Sequence, residues 1–157
     1  VVRALMAGAR RRRLPVVVDP KPGSIALYKG ATVLKPNQGE AEAAVGSSPV
    51  ADKDFPAFAA RAARLAPEGE VLVTRGPKGM ALLKKGRAPI LIPTRAQEVF
   101  DETGAGAAGT AALGLLKAAG VRTQQAAEVA NLAGSLAVSR HGCWIFGPKD
   151  ILGFGVK

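Results

Sequence analysis

The sequence predicts an α/β layer sandwich with a mostly parallel sheet and one β-hairpin. Runs rich in β-branched and apolar residues lie at 16–18, 32–35 and 71–74 and alternate with stretches of helical periodicity, which is the pattern of an α/β protein. Such runs are typical of parallel strands that are covered on both faces. Because 48% of the residues are hydrophobic and only 4% are aromatic, we expect an aliphatic core rich in alanine.

Helical periodicity fills the intervals between these runs. An amphipathic helix predicted at 54–66 turns Phe55 and Phe58 inward. Further helices are predicted over 1–12, 40–45, 107–119 and 123–139, and further strands over 80–83, 90–92 and 98–100, of which the first two form the hairpin. The length of 157 residues suits one domain. Because the chain begins at Val1 inside a predicted helix, we expect a fragment, a processed chain or an incomplete reading frame.

Polar residues and glycines follow several of the predicted strands. Asp19, Asn37 and Thr74 each lie at the end of a strand, and a glycine turn follows the strand at 98–100. Ligands of open α/β sheets bind beyond the carboxyl ends of the strands. These residues are therefore expected to converge on one edge of the sheet.

The glycine turn opens the most apolar helix of the sequence. Gly104 and Gly106 remove side chains where a ligand must approach the backbone. The first turn of a helix has N–H groups without internal partners, and the helix dipole favours an anion there. The helix at 107–119 has Thr110 and Lys117 as its only polar residues. A helix that is apolar nearly all round is typically buried, so we expect an anion site at the mouth of a buried helix.

Two shorter motifs have both a functional and a structural interpretation. Asn37 and Glu40 stand three residues apart at a helix start, where they can share one face or form an N-terminal cap. The segment from Thr74 to Gly79 contains Gly76 and Gly79 after a buried strand. It is either a loop that passes close to a nucleotide or an ordinary hairpin turn.

The segment Asp101-Glu102-Thr103-Gly104-Ala105-Gly106 resembles the Asp-x-Thr-Gly-Ala-Gly-Asp signature of the ribokinase-like (PfkB-type) carbohydrate kinases. The resemblance implies a ribokinase-like three-layer fold, of which this chain is the C-terminal, nucleotide-binding half. It also implies that the turn of Gly104, Ala105 and Gly106 binds the transferring phosphate. The final Asp of the signature is the catalytic base, and Ala107 occupies its position in this chain.

The same resemblance assigns roles to the other motifs. Asn37-x-x-Glu40 would organise Mg²⁺ through water. Asp101 and Thr103 match positions that bind a monovalent cation, K⁺ in this interpretation. The nucleotide would contact Thr74, Gly76, Gly79 and, on a later helix, Asn131. The cofactors implied are therefore ATP and Mg²⁺, with K⁺ as a third.

The sequence between the motifs resembles that of the kinase domain of the bifunctional heptose-phosphate kinase/ADP-heptose synthase family. The segments that carry this resemblance are Val18-Asp19-Pro20-Lys21, residues 28–32, Lys35-Pro36-Asn37 and residues 93–101. It implies phosphorylation of a heptose 7-phosphate, a step of lipopolysaccharide biosynthesis, by a partial kinase domain spanning 1–157. Its partners would be ATP, a phosphorylated sugar, and either a missing N-terminal half or a second copy of the chain.

The resemblance predicts a sugar kinase that is inactive alone, because Ala107 replaces the catalytic Asp and the N-terminal half is absent. Two alternatives remain open. The chain is a non-catalytic nucleotide-binding remnant, or it is half of a kinase assembled from two chains. Activity after co-expression with the missing half distinguishes these two alternatives, and ATP binding distinguishes both from nucleic-acid binding through Arg10 to Arg13.

Charge and cysteine content limit the partners. The net charge is +10, and Arg10 to Arg13 form the densest basic cluster, which we interpret as a solvated helix end complementing the dipole. No aromatic residues interleave with the basic ones to stack bases, so no specific nucleic-acid partner is expected.

The single cysteine, Cys143, fits a reducing cytosol. No run is long enough for a membrane span, and a cytoplasmic location is predicted.

Overall fold

The computed structural model describes residues 1–21, 23–94, 104–139 and 145–154. The chain divides into two compact units. Unit 1 comprises Val1–Arg75 and Ala81–Leu91, and unit 2 comprises Gly76–Met80 and Ile92–Lys157. The strand expected at 98–100 lies outside the described residues.

Five strands of the described residues form one sheet, and their order in space is their order in sequence. They are β1 (Val17–Val18), β2 (Val33–Leu34), β3 (Glu70–Thr74), β4 (Met80–Leu83) and β5 (Ile90–Ile92). β1 pairs in parallel with β2, and β2 in parallel with β3, with Val17 opposite Val33 and Leu34 opposite Val71. The strands predicted within the described residues are thus present, and the runs from 16–18, 32–35 and 71–74 form the parallel part of the sheet.

Three helices accompany the sheet in unit 1. They are α1 (Val2–Arg11), α2 (Gln38–Ala44) and α3 (Phe55–Ala62). Single 3₁₀ turns occupy Ile25–Tyr28, Asp52–Asp54 and Ala63–Leu65, and one in unit 2 occupies Gly76–Lys78. The helix predicted over 54–66 is therefore an α-helix that tightens into a 3₁₀ turn at its end, a common form of helix terminus.

The core of unit 1 is aliphatic, as the composition predicts. Leu34 of β2 and Val71 and Val73 of β3 are almost fully buried, and they pack with α3. The two phenylalanines of α3 face this core, with their ring centroids 5.6 Å apart. The neighbouring Leu72 is also fully buried, so both faces of β3 are covered, as in other parallel strands.

The described residues of unit 2 include three α-helices: α4 (Ala105–Ala118), α5 (Thr123–Val138) and α6 (Pro148–Phe154). α4 packs along α5, and half of the buried residues of α5 are alanines. A Cβ on Gly109 would stand 3.3 Å from the carbonyl oxygen of Ala130. Small residues thus let the two helix backbones approach closely. Within the described residues, no helix is both long and apolar enough to cross a membrane.

The prediction that the helix after the glycine turn is buried is wrong for the part of the chain that the structure describes. Gly109 and Leu113 are the buried residues of α4, whereas Leu115 is 71% exposed. The apolar character of α4 comes largely from alanine, which favours helix formation and tolerates water. Alanine content therefore indicates a helix here and does not indicate which of its faces are covered.

A pair of leucines in α4 tests this description of the helix. Leu113→Ala is expected to destabilise the protein by about 2–5 kcal/mol, because it leaves a cavity in a closely packed site. Leu115→Ala, one half-turn further on an exposed face, is expected to stay within about 0.5 kcal/mol of the parent. Urea denaturation of the two variants measures the difference. Equal losses would mean that both faces of α4 are covered.

Candidate functional site

The carboxyl ends of the parallel strands in unit 1 bring the predicted polar residues together. Asp19 follows β1, Lys35 follows β2, and Thr74 ends β3. An isolated parallel bridge pairs Asn37 with Thr74, which extends the β2–β3 ladder beyond the strands themselves. The expected convergence of Asp19, Asn37 and Thr74 on one edge is therefore observed.

A buried lysine links the ends of β1 and β2. The Nζ atom of Lys35 lies 3.0 Å from Oδ2 of Asp19, and the side chain of Lys35 is only 3% exposed. A buried ammonium group needs a charged partner, because its desolvation is costly. Sequence reasoning did not select Lys35 as a site residue. The sequence feature that could have indicated a buried lysine is its position at the end of an apolar run, directly before Pro36-Asn37.

Asn37 and Glu40 form a complete capping box at the start of α2. Oδ1 of Asn37 accepts a hydrogen bond of 2.8 Å from the backbone N–H of Glu40, and the N–H of Asn37 donates to Oε2 of Glu40, also at 2.8 Å. The prediction that Asn37 and Glu40 form an N-terminal cap is therefore confirmed for the protein without a ligand. It does not exclude the functional one, since carboxylate and amide oxygens have more lone pairs than this box uses.

Acidic and sulfur ligands are sparse at this edge. Within the described ranges, no group of three or more His, Cys, Asp or Glu residues is arranged to hold a metal ion. Asp101 and Thr103, the predicted monovalent-cation residues, lie outside the described residues. A divalent ion at Asn37 and Glu40 would consequently need most of its ligands from water or from a bound phosphate. Mg²⁺ is usually coordinated in this way in proteins.

The two glycines of the predicted nucleotide loop, both in unit 2, differ in their surroundings. Gly79 has φ +77°, and a Cβ there would overlap the carbonyl oxygen of Ile92. Gly76 has φ +54°, with no atom within 4 Å of the position of a Cβ. Close packing against β5 thus explains Gly79 without a ligand. The space over Gly76 would allow a ligand to approach the backbone.

Also in unit 2, the start of α4 has the features expected of an anion site. Gly104 is the N-cap residue at φ +85°, and no side chain of the described residues caps the helix. Ala105 is half-buried, while Gly106 and Ala107 are exposed. The first-turn N–H groups of such a helix have no partners within the helix, and they combine with the positive end of its dipole. Ala107 lies in this first turn, on the exposed side.

Asn131 has a structural contact in unit 2. It is 5% exposed, and its Nδ2 donates a hydrogen bond of 2.6 Å to the carbonyl oxygen of Pro93. The side chain therefore ties α5 to the segment that follows β5. A role for Asn131 in nucleotide binding stays a prediction.

Solved structures define the class of fold. A ribokinase of Arabidopsis thaliana, solved with ribose and ATP, superimposes with a TM-score of 0.83 and 26% sequence identity, covering 98% of this chain and 51% of the ribokinase. Phosphofructokinase-2 of Escherichia coli, solved with potassium, gives a TM-score of 0.82 at 20% identity, covering 98% of this chain and 50% of that one. The fold is thus the ribokinase-like α/β fold that the sequence predicts.

The family follows from the sequence comparisons. Residues 2–150 match the pfkB family of carbohydrate kinases, and the chain belongs to this family.

Among curated relatives, the bifunctional protein HldE of Geobacter sulfurreducens is 42% identical over 149 residues, which are 95% of this chain and 30% of the relative. The HldE protein of Chromohalobacter salexigens is 44% identical over 144 residues, or 90% of this chain and 29% of the relative. The chain therefore spans less than a third of the length of these relatives.

The contrast between the two loop glycines can be tested by substitution. Gly79→Ala is expected to cost about 2–4 kcal/mol of stability, because the new Cβ meets backbone and the left-handed conformation is strained. Gly76→Ala carries only the conformational penalty, about 1–2 kcal/mol. Thermal unfolding monitored by circular dichroism compares the two. A larger loss for Gly76→Ala would show that the packing around the two glycines is not as described.

Proposed function

We propose that this chain is the nucleotide-binding part, residues 1–157, of a carbohydrate kinase that transfers a phosphoryl group from ATP to a sugar hydroxyl. The observation that carries the proposal is its family: the match to pfkB carbohydrate kinases spans residues 2–150. The uncapped start of α4 supports it from the structure, because exposed N–H groups at a helix N-terminus suit a phosphate. Phosphoryl transfer depends mainly on such positioning and charge stabilisation.

The residues of unit 2 fit a nucleotide phosphate. The left-handed Gly104 leaves the first-turn N–H groups of α4 without a side-chain cap. We assign phosphate binding to Gly104, Ala105 and Gly106, and nucleotide contacts to Gly76 and Asn131. Gly79 remains part of the proposed nucleotide loop, and close packing against neighbouring backbone requires a glycine there.

The residues of unit 1 fit a hydrated Mg²⁺. Asn37 is exposed and Glu40 is half-buried, and their oxygens can accept hydrogen bonds from metal-bound water. Mg²⁺ would neutralise phosphate charge when it is bound. Thr74, paired with Asn37 in the sheet, is the nucleotide-binding residue that we assign to this unit. K⁺ at Asp101 and Thr103 is part of the proposal on the family signature alone.

We further propose a heptose 7-phosphate as the sugar. Two observations support this. Several sequence segments between the motifs resemble those of the heptose-phosphate kinases, and the chain is 42% identical to the HldE protein of Geobacter sulfurreducens. Since the chain spans 30% of that protein, the proposed partner is the rest of a kinase domain, joined to it or supplied by another chain. A nucleotide-binding remnant without catalysis is the alternative, favoured by Ala107 at the position of the catalytic Asp.

Binding of Mg–ATP by the chain is expected to be measurable but weak. Gly106→Glu is expected to abolish it, because the new carboxylate occupies and repels the phosphate site. This substitution should not harm folding, since an acidic residue in the first turn favours the helix dipole. Isothermal titration calorimetry measures the binding.

Gly114→Glu is the matched control for this experiment. It makes the same change in α4, where no atom lies within 4 Å of the Cβ position, about 12 Å along the helix. Binding should survive in this control. Retention of binding by Gly106→Glu would show that the start of α4 does not bind phosphate.

The residue at position 107 determines whether the chain has a general base. A positioned general base contributes about 10²–10⁴-fold in rate, or roughly 3–6 kcal/mol of barrier, so the unaltered chain should show no sugar kinase activity. Ala107→Asp alone should not restore activity without the sugar-binding half. The substitution combined with that half, co-expressed from a full-length relative, should give ATP-dependent phosphorylation of heptose 7-phosphate.

The assay compares four samples: the parent and Ala107→Asp, each with and without the N-terminal half. Product formation is followed from ATP and heptose 7-phosphate. Robust turnover by the unaltered chain would contradict the assignment of position 107, because another residue would then have to act as the base.

A further inference from the structure

Arg75 makes three different contacts directly after β3. Its Nε donates a hydrogen bond of 3.2 Å to Oε1 of Gln38, and its Nη2 lies 3.0 Å from Oδ1 of Asp52. Its Cζ stands 3.8 Å from the centroid of the Phe55 ring. The Arg75 side chain is only 7% exposed. A planar guanidinium can hydrogen-bond at its edge and stack on an aromatic face at the same time, which lysine cannot do.

The amide of Gln38 continues these contacts into α2. Its Nε2 donates to Oε1 of Glu42 at 2.9 Å and to the carbonyl oxygen of Val50 at 3.4 Å. The same Oε1 of Glu42 accepts a hydrogen bond of 2.9 Å from the N–H of Val50. Glu42 is 9% exposed. The group therefore forms a shielded hydrogen-bond network, in which each bond is stronger than it would be in water.

The network acts on the helix end that carries the cation motif. Gln38 is the first residue of α2 and lies between Asn37 and Glu40. Asn37 is also paired with Thr74, the residue before Arg75. The start of α2 is thus joined to the end of β3 twice, through the backbone at Thr74 and through a side chain at Arg75.

We propose that Arg75 is a positioning residue for the divalent-cation motif. By holding Gln38, it fixes the start of α2 so that the Asn37 and Glu40 oxygens keep one geometry relative to Thr74. Arg75 itself does not touch the ion. This inference rests on the proposed function, because it assigns Asn37 and Glu40 to a hydrated Mg²⁺.

The remaining contacts of Arg75 make the arrangement rigid. Asp52 opens the 3₁₀ turn before α3, and Phe55 opens α3 itself. Their contacts hold the guanidinium from two further directions, which leaves its Nε facing Gln38. A flexible surface cation would lose this orientation, and the entropy of ordering it would offset most of the benefit.

Arg75→Met is the main test, and Arg61→Met is its control. Arg61 of α3 donates to the carbonyl oxygen of Val45 at 2.6 Å, so it contacts the opposite end of α2. Both variants remove one positive charge and one contact to the same helix. Only Arg75→Met removes the link to Gln38.

The first measurement is amide hydrogen exchange in the chain without ligands. In Arg75→Met, the Glu40 amide, which donates to Asn37, should exchange about tenfold faster, whereas the Val45 amide at the far end stays unchanged. Arg61→Met should leave the Glu40 amide at the parental rate. Parental exchange of Glu40 in Arg75→Met would overturn the proposal.

The second measurement is ATP binding over a range of Mg²⁺ concentrations. Arg75→Met should need about tenfold more Mg²⁺ for half-maximal binding, while ATP binding without Mg²⁺ stays close to that of the parent. A residue with a purely structural role would lower the unfolding midpoint without changing the Mg²⁺ requirement of the folded protein. That result would also overturn the proposal.

Two further variants keep the test decisive if Arg75→Met folds poorly. Arg75→Lys keeps the charge but not the planar group, and Gln38→Met breaks the same link from α2. Both should speed Glu40 exchange, and the Arg75→Lys/Gln38→Met double variant should show less than the sum of the two effects, because they share one contact. Full additivity would contradict the proposed link.

The two measurements separate this inference from the proposed function. If the parent binds no Mg–ATP, the proposed function fails and the cation role of Arg75 fails with it. The exchange results would then report only on the structural link. If the parent binds Mg–ATP and Arg75→Met behaves as the parent in both measurements, only the inference fails.

Discussion

The parallel pairing of β2 with β3 is the constraint on which the unit 1 site depends. It places Leu34 opposite Val71, and the bridge between Asn37 and Thr74 continues it past the strand ends. A slip of one residue would turn every side chain of a strand to the opposite face. Because both faces of β3 are closely packed, such a slip would place side chains of the wrong size and shape in each packed position. The pairing therefore fixes the position of the motif at the start of α2.

The sequence was a good guide wherever one local rule governed the outcome. β-branched runs located the parallel strands, and the Asn37–Glu40 spacing indicated the capping box, because both patterns depend on neighbouring residues. Burial of α4 was mispredicted, because alanine satisfies helix propensity equally well in water and in a core. The contact of Arg75 with Gln38 spans 37 residues, and no local pattern shows which carboxylate, amide or ring an arginine will meet.

The glycines show how one motif can combine two physical requirements. Gly79 is required by the nearby backbone of β5, whereas Gly76 faces open space. A spacing pattern treats the two positions as equivalent. Only the geometry shows that one is explained by folding alone and that the other leaves room for a ligand, so the resemblance to a nucleotide loop rests more on Gly76 than on Gly79.

The arginines at the end of α1 have a consequence for association between copies of the chain. Arg10 to Arg13 are exposed, and three residues separate them from β1. Like charges on an exposed surface repel the same cluster of a second copy, so this surface disfavours contact between two copies of the chain.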